Sequence, residues 1–229
     1  QRGRPGPRLG ELQPGRSYRM STLTDVSAPV TDVIDTVLGV TPGDAIDAIR
    51  RSREVARTHA QATYDALFSP VSDAEISLGE RYAVASFVLG LHGETPLSAV
   101  YDAGVPAELA PLVSAQIAAA LRSGPFGIYR EPGLASESEP GEAFLADEAL
   151  GERLAAAFTH AALLVYRPRE SSPQALEALQ TAGWSDDGIV TLSQLVSFLA
   201  FQVRIVAGLS VLAANPAPAG STANVTNEG

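Results

Sequence analysis

The sequence predicts an all-α fold built from two similar helical units. Three observations carry this prediction. Helix-capping residues recur along the chain, apolar residues repeat at helical spacing, and the two sides of a long Pro/Gly-rich segment mirror each other. Short alternating runs of the strand type are nearly absent. At 229 residues the chain is long enough for one large domain or two small ones. Its 45% hydrophobic and 18% charged residues are ordinary for a globular protein with a real core.

The elements follow in order. Thr41-Pro42 places a capping hydroxyl before a proline and opens a helix through about Arg51. Arg53–Phe68 continues as a second helix, stopped by Ser69-Pro70. Ser77 and Glu80 form a capping box ahead of the apolar helix Tyr82–Leu91. Gly93 and Pro96 punctuate the chain, and helices are expected over Pro96–Ala103 and Pro106–Leu121. Ser123–Leu145 has two Pro-Gly pairs, the acids Glu137, Glu139 and Glu142, and little periodicity, so it reads as a connector or lid. Periodicity returns at Glu148–Tyr166 and after Ser172-Pro173 through Leu179, with Gly183 as a stop. Ser185 caps a final helix from Asp186 to about Leu212, where Asp186 and Asp187 suit the positive end of the helix dipole. That helix is apolar nearly all round, so it is expected to be surrounded by others.

Composition removes several chemistries. There is no cysteine, hence no disulfide, thiolate nucleophile or cysteine-ligated metal. All 16 basic residues are arginine, so there is no Walker-type lysine and no pyridoxal anchor. We expect no cofactor and no metal. The three histidines, His59, His92 and His160, show no local metal-ligand spacing. The net charge is −10, and five of the arginines precede the single methionine, Met20. The remaining body is still more acidic and carries no basic stripe, which argues against nucleic acid and anionic membrane as partners. Gln1–Arg19 lacks the apolar middle of a signal peptide, and Met20 reads as a natural start. The apolar stretch Leu192–Leu212 is interrupted by Gln202 and Arg204, so no membrane span is expected and a cytoplasmic location is the default.

The duplication rests on pattern. His59-Ala60 and His160-Ala161 precede comparable helices that begin at Ser77 and Ser185. Aligned from those serines, Val84, Phe87, Val88 and Leu91 meet Leu192, Leu195, Val196 and Leu199. The expected organisation is an extension over 1–29, disordered or non-native. An N-terminal unit follows over 30–122, a linker over 123–145, a C-terminal unit over 146–213, and a disordered tail over 214–229. The two units are expected to pack as a pseudo-dimer, and the chain is expected to form a homo-oligomer.

On Glu80-Arg81, Ala83-Val84-Ala85 and Gly90-Leu91-His92-Gly93, the segment Leu78–Tyr101 resembles the core of the alkylhydroperoxidase D-like family, the carboxymuconolactone decarboxylase superfamily. Phe201-Gln202-Val203-Arg204 is similar to the Phe-x-x-Arg segment of its peroxidase-related branch, and the resemblance covers most of residues 30–212. Family peroxidases use a Cys-x-x-Cys-x-x-x-His site and an upstream glutamate. Anchored on Gly93, those positions hold Glu94, Leu97 and Tyr101, with Tyr82 for the glutamate. Without a thiolate that redox chemistry does not transfer. The resemblance therefore implies the fold without the peroxidase activity.

Two readings of function follow. One is a small-molecule-binding or assembly protein. The other is a metal-free acid/base enzyme of the decarboxylase type, acting on a small carboxylated or lactone substrate. In it His92 is the base, Glu94 its partner, and Tyr82 or Tyr101 the donor. The blander view makes His92 a polar end cap at a surface junction. His59 and His160 either share a cavity between units or are hydrogen-bonded core residues. Arg204 and Gln202, within the apolar last helix, are candidate ligand-binding residues. A buried Arg204 needs a partner, for which Glu80 or Glu94 is suited. The segment Gly124–Tyr129 reads as a lid or a strap.

Overall fold

The structure is a computed structural model that describes residues 32–93 and 95–215. The expected extension over 1–29, residue Glu94 and all but the first two residues of the expected tail lie outside these. Among the described residues the chain is all-α, with a single antiparallel bridge between Gly127 and Glu139. The helices are α1 (Val33–Leu38), α2 (Ala45–Arg51), α3 (Glu54–Phe68), α4 (Leu78–Leu91), α5 (Ser98–Asp102), α6 (Ala110–Ala120), α7 (Glu152–Tyr166), α8 (Pro173–Thr181) and α9 (Asp186–Ala214).

Side-chain caps set most of the starts. Asp32 accepts the amides of Ile34 and Asp35 at 2.9 and 3.0 Å and begins α1. The start of α2 differs from expectation. Thr41-Pro42 forms a turn, and the cap is Asp44, whose carboxylate takes the Asp47 amide at 2.7 Å and the Thr41 amide at 2.8 Å. Gly43, at φ +94°, breaks any helix that would begin at Pro42. The Ser77–Glu80 capping box forms as expected: Ser77 Oγ accepts the Glu80 amide at 3.2 Å, and Glu80 accepts the Ser77 amide at 2.8 Å. Ser185 Oγ likewise accepts the Gly188 amide at 3.0 Å at the head of α9. The expected linker is largely irregular, apart from a 3₁₀ turn over Pro132–Glu137.

The core is organised around α4, whose Ala83, Val84, Ala85, Phe87, Val88 and Leu89 are completely buried. It packs on α5 and α6 and also on α7 and α9, so segments from both sides of the irregular stretch share one apolar interior. Phe87 stacks on Phe158 of α7 at 4.3 Å between centroids. Each such side chain contributes about 1.5–3 kcal/mol by leaving water. The ends of α4 and α9 are tied by Arg153, which pairs with Glu80 at 2.8 Å, donates to the carbonyl of Gly183 at 2.7 Å and lies 4.0 Å over the Trp184 ring.

The first three helices are joined differently, by charge. Arg50 pairs with Asp32 at 2.7 Å and with Asp35, and Arg57 bridges Asp35 to Asp47. Asp32, Asp35, Asp47 and Arg50 are all buried.

The last helix is less enclosed than its composition predicts. Its core side carries Leu192, Leu195 and Leu199, but Val190, Phe201, Val211 and Leu212 are 55%, 41%, 61% and 48% exposed. By length and composition alone α9 is apolar enough to cross a membrane; here α1, α2, α4, α7 and α8 pack against it.

Candidate functional site

The residues singled out by sequence do not converge on one cluster. His92 is the C-cap of α4 and half-buried, with Nε2 enclosed and, among the described residues, lacking a hydrogen-bond partner. Burial, helped by the charge of Arg204, holds its pKa below the ordinary 6.5. Its expected partner Glu94 lies outside the described residues. Leu97 and Phe87, each five residues from it along the chain, are fully buried, and Phe87 stacks on Phe144 and Phe158.

Tyr101 and Gln202, drawn from different candidate sets, meet inside the protein. The Tyr101 hydroxyl donates to Gln202 Oε1, and both residues are completely buried. Tyr101 sits edge-on to Phe68 at 4.9 Å, and Tyr82 lies 5.0 Å from the same ring. Gly104 makes this cluster possible, since a Cβ there would stand 2.4 Å from the Tyr82 ring. Burial drives the Tyr101 phenol far above its usual pKa, so it acts as a hydrogen-bond donor and not as a proton source at neutral pH.

Arg204 corrects an expectation. It is exposed, and its guanidinium donates to the carbonyl of Ala200 on its own helix at 2.7 Å. The expected partner Glu80 is engaged by Arg153 instead. The arginine escapes burial because it lies on the open side of α9. None of the three cavities described for the molecule is lined by His92, Tyr82, Tyr101, Gln202 or Arg204.

The largest of those cavities lies elsewhere, between α3 and α9, with a volume of about 1330 Å³. From α3 come Ala56, His59, Thr63 and Ala66, and from α9 come Val190, Ser193, Ser197 and Phe201. Each set is one helical stripe, spaced three or four residues apart. The small side chains on these stripes leave the gap unfilled, so it stays open as a groove. It exceeds the ~300–1,000 Å³ of an ordinary small-molecule pocket, so a bound molecule would cover part of it.

A few polar groups interrupt the apolar lining. His160 is buried in α7 behind the groove, as a core histidine, and its Nε2 lies 3.2 Å from Ser193 Oγ. Burial lowers its pKa, which favours the neutral ring. His59 is exposed along the groove and is not a core residue. The two histidines therefore border one groove, His59 at its rim and His160 behind Ser193.

Arg81, which the sequence reading did not select as a site residue, also lines the groove and is only 4% exposed. Its Nε donates to the Ile76 carbonyl at 3.0 Å and its Nη1 to the Leu67 carbonyl at 2.9 Å. Leu67 belongs to the last turn of α3, where carbonyls lack helical partners. The available sequence signal was electrostatic. An arginine just inside the positive end of a helix is misplaced unless something else holds it.

Among the described residues no group of three or more acidic or histidine side chains is placed to hold a metal ion. No family model, curated protein or solved structure matches the chain.

Proposed function

We propose that this chain is an alkylhydroperoxidase D-like protein without a thiol centre, and that it works by binding a small apolar molecule in the α3–α9 groove. The carrying observation is the groove itself: two stripes of small and apolar side chains, one on α3 and one on α9, around an opening of about 1330 Å³. Of the positions that the resemblance equates with the peroxidase centre, Leu97 is fully buried and the Tyr101 hydroxyl is engaged by Gln202. This favours binding over the alternative, an acid/base enzyme working from His92 and Glu94.

Two similar units related as a pseudo-dimer belong to the same reading. In its support, α3 and α7 are each 15 residues long, and each is followed later in the chain by a helix whose capping serine accepts the amide three residues on. The proposal has the protein acting in the cytoplasm as a homo-oligomer, without nucleic acid, membrane or metal.

The test uses a neutral, environment-sensitive dye such as Nile red. Saturable binding is expected. A Thr63→Trp/Ser197→Trp variant, which fills the groove from two exposed positions, should weaken it at least about tenfold while leaving a cooperative melt. Equal binding by the filled variant would place the dye elsewhere and defeat the proposal. So would turnover of an organic hydroperoxide with a dithiol donor above the protein-free control.

A further inference from the structure

The groove's apolar lining meets one feature that apolar packing does not explain. Arg81 is only 4% exposed, and yet it forms no ion pair among the described residues. Two of its nitrogens are held by carbonyls, while Nη2 donates to no described group and is not among the fully enclosed unpartnered atoms. Asp73 and Glu80 act on the guanidinium at longer range, and Glu80 already serves Ser77 and Arg153. The result is a fixed cation, pinned by two backbone bonds, at the edge of an apolar groove.

We propose that Arg81 is the anchor for a carboxylate, and that the groove's ligand is a monocarboxylic acid with an apolar body. This rests on the groove being a binding site. Three observations select that chemistry. Charge supplies one: among the described residues Arg81 is the only arginine lining the groove, so a single negative charge is matched and a doubly charged phosphate is not. Location supplies the second. Arg81 bonds to Leu67, and Pro70 and Ser72 of the following loop line the groove with it, so the cation lies at the end of α3. The apolar wall supplies the third. It runs from Ile189 and Val190 to Phe198 and Phe201 along α9, about 18 Å at ~1.5 Å per residue, which suits an extended hydrocarbon body. Burial strengthens the pairing, because the guanidinium is already stripped of most of its water when the ligand arrives.

Decanoate and decanol separate this proposal from the one beneath it, because they differ only in the head group. Calorimetric titration of the full chain should give decanoate a Kd at least about tenfold below that of decanol. Arg81→Gln should remove that advantage and leave decanol unchanged within about twofold. Arg81 also ties Leu67 to Ile76, so this variant is read only alongside its thermal melt. Ser72→Asp gives an independent route that keeps the tie. It adds a negative charge at an exposed groove position and should weaken decanoate but not decanol. Equal affinity for the two ligands in the native chain, or equal loss of both in Ser72→Asp, would overturn the carboxylate anchor while leaving the groove reading intact. Binding of neither ligand, together with no dye binding, would overturn both.

Discussion

A buried imidazole bonded at one nitrogen, as in His160, is tolerated only while neutral. Protonation would place a charge against the apolar faces of α7 and α9 with Ser193 as its single partner. Its folded pKa therefore lies below 6.5, and that of His92 is displaced the same way by burial and Arg204. Below 6.5 the unfolded chain binds more protons than the folded one. The histidine contribution is thus complete above that pH and is lost as the pH falls through the folded values. Asp44 and Asp47 also have lowered values, because backbone amides bond their carboxylates, but they act in a separate window below 3.8. Urea midpoints are expected to fall from neutral to mildly acidic pH. In His160→Leu that fall should be shallower than in the native chain. An unchanged slope in this variant and in the corresponding His92→Leu would show that neither ring is held neutral by burial.

At the scale of elements, two kinds of adhesive hold the helices. α4, α7 and α9 meet through completely buried apolar side chains, whereas α1, α2 and α3 meet through Arg50 and Arg57 and their aspartates. Replacing Arg50 with methionine leaves Asp32 and Asp35 without their buried cation, so it should cost about 3–5 kcal/mol in urea unfolding. Arg51 has a 63% exposed side chain, and Arg51→Met should cost less than about 1 kcal/mol although its distance to Asp47 is only 2.8 Å. Equal effects would mean that the network is no more than surface charge. Local chemistry also decides which elements were legible in sequence. The Ser77–Glu80 box, the Gly183 stop and the Ser185 cap depend on neighbours three or four residues away, and all form as read. The start of α2 was misplaced because Thr41 and Asp44 are both competent caps, and only the backbone of Gly43 decides between them. The groove was not legible, because it depends on how far α3 and α9 diverge. Arg81 was hidden for a related reason, since its partners are backbone carbonyls that carry no mark in the sequence.

Across the whole molecule the unresolved tension is between an acidic surface and an uncovered apolar stripe. Val190, Phe201 and Leu212 recur every eleven residues, close to a whole number of turns, so they lie along one side of α9 and continue past the groove. Val211 adds to it at the same end. An apolar strip of this kind favours association, while a net charge of −10 opposes it between identical chains. The two effects respond oppositely to salt. Added electrolyte screens the repulsion and leaves apolar contact in place. Self-association by sedimentation velocity should therefore rise between about 0.05 and 0.5 M sodium chloride, the reverse of an assembly held by surface ion pairs. A Val211→Asp/Leu212→Asp variant should shift the chain toward monomer and leave dye binding unchanged, since neither residue lines the groove. Association that falls with salt, or that survives both aspartates, would mean that copies meet through another face. Loss of dye binding in the same variant would mean that groove and interface are one surface, with each copy completing the other's site.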